Sequence, residues 1–381
     1  MSGDSCSEVS TVPSLEEGRS LIAQVDLGQL VQNLAGLRRV ARDLGLLAVV
    51  KADAYGHGAV PVARTLESVG IEGFCVATLP EALELRRAGI LARILVFGSL
   101  RPESLPLAAA NHLDLTVVSG EHLRELAALV PHHAVGLHLK LDTGMGRSGL
   151  PLDELGACLD AIRGLQPWLR GVMGHFSASE APNAQPAHLQ RRRFQGALAQ
   201  LREAGVAAPM VHHANSAGLL RGFVDGDTHA RCGIALYGLS EVEEARAAGL
   251  KPILELSAEV MRVVRLPAGT TVGYGSTYVA PHPLKLVTLN CGYADGYPRA
   301  LANRAQAGFQ GRTHPVVGMI SMDMLTVAVP EPLAIGPGDR MTLLSRNSED
   351  PHSVQNTARL LATIPYEVTC ALNRRVLRRP A

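Results

Sequence analysis

The sequence predicts an α/β protein: an N-terminal (β/α)8 barrel of the TIM type followed by a mainly β C-terminal domain. Three observations lead there. The 381 residues, 47% of them hydrophobic, are more than one ordinary compact core takes up. From about Leu21 to Tyr237, short apolar runs alternate with longer amphipathic stretches, the pattern of repeated strand and helix units around a parallel sheet. After Gly249, strand-like runs follow one another directly, with Pro and Gly turns between them.

Residues 1–20, MSGDSCSEVSTVPSLEEGRS, read as a loose polar tail without the basic start and apolar stretch of a secretory signal. The barrel is expected over 21–249. Its candidate strands begin near Ile22, Leu46, Phe74, Ile94, Leu113, Val135, Leu169, Met210 and Ile234. Helix-like segments at 30–43, 81–88, 121–129, 153–165 and 186–204 separate them, several closed by a glycine. About eight such units in roughly 230 residues suit a (β/α)8 barrel. The β domain is expected over 250–381, with strand runs at 253–266, 284–290, 314–329 and 340–345 and one late helix at 354–362.

Charge excludes several classes of partner. The 36 basic and 35 acidic side chains leave a formal charge of +1, with no long run of either sign, so neither nucleic acid nor a membrane surface is indicated. No apolar run approaches the ~20 residues that span a bilayer. Six scattered cysteines, with no C-x-x-C pair, suggest reduced thiols in a cytoplasmic protein and no metal site.

LLAVVKADAYGHG (46–58) is an apolar strand ending in Lys51, and in a barrel that C-terminal strand end is where chemistry sits. Lys51 reads either as a strand-end lysine reaching water or as an amine made nucleophilic by apolar surroundings, able to form a Schiff base with an aldehyde such as pyridoxal phosphate. GMGRSG (144–149) matches G-x-G-x-x-G formally, but Lys140, Asp142 and Arg147 crowd it with charge and no acidic residue stands clearly about 20 positions on, against a dinucleotide site. Lys140 is open to an ion pair with Asp142.

MGHFS (173–177), HANSAG (213–218) and RCGIALYG (231–238) fall at successive candidate strand ends. Ser216 offers a hydroxyl there, and Gly233 and Ile234 offer backbone N–H groups of the kind that cradle phosphate. On residue type alone, Arg231 also suits a surface ion pair, His175 a satisfied core histidine, and Tyr274 in VGYGSTY (272–278) a turn tyrosine between glycines.

These strings, with CGYADGYPRAL (291–301) and GMISMDM (318–324), resemble in order the bacterial alanine racemases, from about Leu21 to about Cys370. The resemblance implies a pyridoxal-phosphate enzyme that interconverts L- and D-alanine and supplies D-alanine for peptidoglycan. It assigns the cofactor to Lys51 and its phosphate to Tyr55, Ser216, Gly233, Ile234 and Tyr366 of IPYEVTC (364–370). Arg147 would contact the ring oxygen and the substrate carboxylate. Arg231 would face the pyridine nitrogen and, as a permanent donor, leave it unprotonated. His175 would link that arginine to the catalytic tyrosine.

Inverting a stereocentre calls for acid/base groups on two faces, and the resemblance makes them Lys51 and Tyr274. Tyr274 would come from the partner subunit of a head-to-tail homodimer, with the Met322 N–H meeting the substrate carboxylate and Asp323 and Asn215 in support. In many family members the lysine at the Lys140 position is carbamylated. Met319 stands where many carry an arginine, and Cys232 replaces a commoner bulky residue. Serine or a broader range of amino acids, a fold-related decarboxylase without a convincing C-terminal cysteine acid, and a non-enzymatic cofactor carrier are the alternative readings.

Overall fold

A computed structural model describes residues 21–381, and the tail expected over 1–20 lies outside them. The chain divides into two compact units. One holds 25–254, 346–370 and 380–381; the other holds 255–345 and 371–379, with the described residues up to Gln24.

The first unit is the barrel. Numbering strands from β1 (Leu21–Val25), its eight parallel strands are β2 (Gly45–Val49), β3 (Gly73–Val76), β4 (Arg93–Val96), β5 (Leu113–Val117), β6 (Gly136–Asp142), β7 (Leu169–Met173), β8 (Met210–His212) and β9 (His229–Cys232). From β2 to β8 each pairs with the next, and β9 pairs with β2. The ring closes between β8 and β9, where Thr228 N donates to Val211 O at 2.7 Å and Arg231 N to Ala214 O at 3.0 Å. Residues of β3 and β5 are buried throughout, as expected where helices cover one face of a sheet and barrel packing fills the other.

The helices form where local signals agree with the apolar spacing. Leu27–Ala41 starts at Asp26, whose carboxylate accepts from Gln29 N at 2.8 Å, buries Leu30, Leu34, Leu37 and Ala41, and ends on Arg38 and Arg39, which suit the negative end of its dipole. Leu79–Arg87 starts at a Thr78–Glu81 capping box. Gln185–Glu203 closes at Gly205, whose φ of 74° is strained for other residues.

The second unit is a set of antiparallel strands. Its organiser is β10 (Leu254–Leu266), which pairs through Leu256–Glu259 with β15 (Arg340–Leu344) and, beyond a bulge at Val260, with β11 (Leu284–Leu289). Such a bulge bends a strand, and this 13-residue strand serves three partners, β15, β11 and β1. β11 pairs on with β14 (Leu325–Val329), and β12 (Gln306–Phe309) and β13 (Arg312–Pro315) form a hairpin beside β15. Ala280, Leu284, Val317 and Ala328 form a buried apolar cluster, with Leu266, Tyr278 and Leu286 packed against it.

Three expectations need correction. β1 is not a barrel strand: it lies in the sheet of the second unit between β10 and β16 (Leu377–Pro380), and its alternating burial is that of a strand with one covered face. The last barrel strand begins at His229, and Ile234 already lies in the turn beyond it. The late helix, Val354–Leu361, and the helix Pro365–Cys370 belong to the barrel unit, so the boundary drawn at 250 does not hold for 346–370.

Candidate active site

At the C-terminal ends of the barrel strands lies a cavity of about 450 Å3. Lys51 enters it just past β2. The four residues after it, Ala52, Asp53, Ala54 and Tyr55, all have φ between 51° and 54°, making a left-handed turn. L-residues pay about 1–2 kcal/mol each for that conformation, so neighbours must impose it. Glu81 accepts from Ala52 N at 2.8 Å and from Ala77 N at 2.7 Å, and Asp53 accepts from Ala59 N at 2.7 Å. A Cβ on Gly56 would stand 2.1 Å from Thr369 O, so this turn closes only on a glycine. The turn aims Lys51 and Tyr55 into the same cavity. Burial, and then the charge of Arg147, lower the Lys51 amine from its ordinary value.

Tyr55 packs at a tilt against Tyr237 at 5.1 Å and Tyr366 at 5.6 Å between ring centroids, and Tyr237 is fixed by its hydroxyl, which donates to Val49 O at 2.8 Å. Opposite Tyr55, the N–H groups of Gly233 and Ala235 donate to Ser216 Oγ at 3.0 and 3.3 Å. Asn215 starts the short helix that carries Ser216, its side-chain oxygen accepting from Gly218 N at 2.8 Å. A Cβ on Gly233 would come within 2.5 Å of the Tyr55 hydroxyl. Tyr366 closes this end and donates to Glu180 Oε1 at 3.1 Å.

Arg231 contradicts a surface ion pair: it is 3% exposed and has no carboxylate partner among the described residues. It donates to Gly174 O at 2.8 Å, His213 O at 3.2 Å, His212 Nδ1 at 2.8 Å and His175 Nδ1 at 3.1 Å. A guanidinium can only donate, so His175 Nδ1 accepts and that ring's proton sits on Nε2. Burial and the Arg231 charge push His175 well below its usual value, so it is neutral.

The glycine-rich string holds no pyrophosphate cradle. Gly144, Met145 and Gly146 turn their N–H groups onto the Asp142 carboxylate, at 2.9, 2.9 and 2.9 Å. Asp142, so engaged, does not form the ion pair with Lys140. Lys140 Nζ instead donates to Ser148 O at 2.8 Å, and burial followed by the Arg147 and Arg231 charges lowers its pKa to about 8. Arg147 lines the same cavity.

Lys51, Tyr55, Lys140, Arg147, His175, Asn215, Ser216, Arg231, Gly233, Ile234 and Tyr366 thus all line one cavity. Tyr274, Met322 and Asp323 lie in the β unit. Tyr274 stands 73% exposed between Gly273 and Gly275, both at positive φ. The Met322 carbonyl accepts from Ala294 N at 2.9 Å, and Asp323 pairs with Arg375 at 2.7 Å. Sequence reasoning left Glu81 and Tyr237 unassigned. The T-x-x-E capping pattern announces Glu81 at its own helix, but nothing local links it to Ala52.

Comparison with known proteins fits this geometry. The alanine racemase N-terminal domain model matches residues 25–241 and the C-terminal domain model residues 253–380. The chain belongs to the alanine racemase family. An alanine racemase of Symbiobacterium thermophilum is 38% identical over 96% of this chain and 98% of its own. Among solved structures, the alanine racemase from the D-cycloserine producer Streptomyces lavendulae superposes with a TM-score of 0.88 at 32% identity, covering 95% of this chain and 97% of its own. That of Bartonella henselae, with covalently bound pyridoxal phosphate, gives 0.84 at 27% identity over 95% and 99%. The family's barrel and β domain are both present, and among the described residues no helix is long and apolar enough to cross a membrane.

Proposed function

We propose that this chain interconverts L-alanine and D-alanine with pyridoxal 5′-phosphate as its cofactor, supplying D-alanine for peptidoglycan in the cytoplasm. The observation that carries the reading is the cavity's charge: Lys51, Lys140, Arg147 and Arg231 line it, and among the described residues no carboxylate does. Such a lining suits an anionic ligand. Its residues fit the cofactor: hydroxyls of Tyr55, Ser216 and Tyr366 and the amides of Gly233 and Ile234 for the phosphate, the Lys51 amine for the aldehyde, and donor-only Arg231 for the ring nitrogen. When bound, the cofactor supplies a carbonyl for amine exchange and a ring that withdraws electrons from the amino acid's α-carbon.

The remaining work falls to side chains. Lys51 Nζ, its proton affinity lowered by burial, removes or returns the α-proton on one face. The partner subunit's Tyr274 does so on the other. Arg231, a cation that cannot give up its proton, leaves the ring nitrogen bare and moderates its pull on electrons. Arg147 and the partner subunit's Met322 N–H hold the substrate carboxylate, and the ion pair of Asp323 with Arg375 steadies the Met322 segment. His175, with its proton on Nε2, would donate to the catalytic tyrosine. Lys140, held at about 8, is neutral in a sizeable fraction of molecules and so open to carbamylation by CO2, which would give Arg147 an anionic neighbour.

The test is to incubate cofactor-saturated protein with single L-amino acids and measure each D-enantiomer by chiral chromatography. Alanine converted faster than serine and lysine is the expected result. Absence of any D-product overturns the proposal and redirects it to decarboxylation or cofactor carriage.

A further inference from the structure

Arg231 stands among imidazoles and carbonyls with no anion beside it, and the hydrogen bonds leading away from it run in one direction only. A guanidinium has no acceptor, so His212 Nδ1, 2.8 Å from Arg231 Nη1, must be unprotonated. The His212 proton is then on Nε2, which faces His138 Nδ1 at 2.8 Å. His138 Nδ1 therefore accepts, and its own proton sits on Nε2, 3.3 Å from Asp114 Oδ2. Every tautomer follows from the one before it. We propose that Asp114, near the start of β5 and so at the far end of the barrel from the cavity, is a positioning residue that holds Arg231 in place through His138 and His212.

The surroundings suit such a chain. Both imidazoles are fully buried, and burial lowers the proton affinity of each, the Arg231 charge adding to the effect at His212. A cationic His138 would present a second proton to His212 Nε2–H and break the sequence, so the chain itself opposes that state. Burial alone would raise the Asp114 carboxyl. The His138 hydrogen bond and the Arg93 ion pair at 2.8 Å outweigh it, keeping Asp114 an anion. Two glycines leave room. A Cβ on Gly171, the strand partner of His138, would stand 2.3 Å from His138 Nδ1, and one on Gly136, the partner of Asp114, 2.0 Å from Asp114 Oδ1.

Without Asp114 the buried His138 Nε2–H loses its acceptor, so the two imidazoles shift and Arg231, which donates to His212, shifts with them, changing how its guanidinium would meet the cofactor's ring nitrogen. This consequence rests on the cofactor assignment above, whereas the tautomers do not. The experiment is therefore read in two places on the holoenzyme: 15N resonances of labelled histidines, assigned with His138→Asn and His212→Asn, and the ring-nitrogen resonance of 15N-labelled pyridoxal phosphate.

In the parent protein both imidazoles should be neutral with the proton on Nε2. Asp114→Ala should shift the His212 Nδ1 and ring-nitrogen resonances and lower kcat by about tenfold, with KM changed less than about twofold. Asp114→Asn, which keeps an acceptor oxygen, should restore most of both. A parent His212 protonated on Nδ1 overturns the proposal, even if Asp114→Ala fails to fold. So does a folded Asp114→Ala with unaltered resonances. If the protein turns over no amino acid, the histidine spectra still judge the chain while the cofactor reading alone falls.

Discussion

Lys140 carries a test in its own titration. In the folded chain its amine is held at about 8, whereas an unfolded lysine keeps its proton to ~10.4. Between those values the unfolded state binds more protons, so stability rises with pH across that window and the contribution is constant below it. In CO2-free buffer, urea midpoints should show this extra rise for the parent and not for Lys140→Met. A carbamylated Lys140 has no such titration, so protein equilibrated with bicarbonate should lose the slope and weigh one CO2 more by native mass spectrometry. Equal slopes in parent and variant would refute the assignment. That Lys51, Arg231 and Ser216 lie near strand ends, around one cavity, was legible from the strings that carry them. The Lys140–Asp142 pair was misjudged because three backbone amides, invisible in residue type, claim the Asp142 carboxylate.

At the scale of elements, the left-handed turn after β2 decides whether Lys51 points into the cavity. Nothing in Ala-Asp-Ala-Tyr asks for positive φ, and the conformation comes from Glu81 and from Asp53's bond to Ala59, so it could not be read locally. Gly56→Ala forces a Cβ toward Thr369 O at a φ of 83°. It should destabilise the chain by more than about 1 kcal/mol and lower cofactor affinity together with melting temperature, measured by calorimetry and by absorbance titration. An unchanged melting temperature would mean that the turn relaxes freely. β1 was not legible in residue type: only its burial alternates, Ile22 being as apolar as its neighbours, whereas the barrel strand β5, Leu-Asp-Leu-Thr-Val, alternates more strictly and is buried throughout. The late helix expected at 354–362 was grouped with the β domain because position along the chain says nothing about which core a late helix returns to, and the helix at 365–370 was not foreseen.

For the whole molecule, the two units divide the chemistry. The barrel unit holds the cation-lined cavity, and the β unit holds exposed Tyr274 with Met322 and Asp323. In the proposed mechanism a second copy supplies Tyr274, which would make the active site a property of the dimer. Complementation between two inactive variants tests this most directly. Lys51→Ala and Tyr274→Phe should each lose at least about a hundredfold in alanine racemization on their own. Co-refolded in equal amounts, they should recover about one quarter of the parent rate per subunit, because half the dimers are mixed and each mixed dimer pairs one intact Lys51 with one intact Tyr274. No recovery in a mixture shown by mass spectrometry to contain mixed dimers, or near-parent activity in either variant alone, would contradict a site built from Lys51 of one copy and Tyr274 of another.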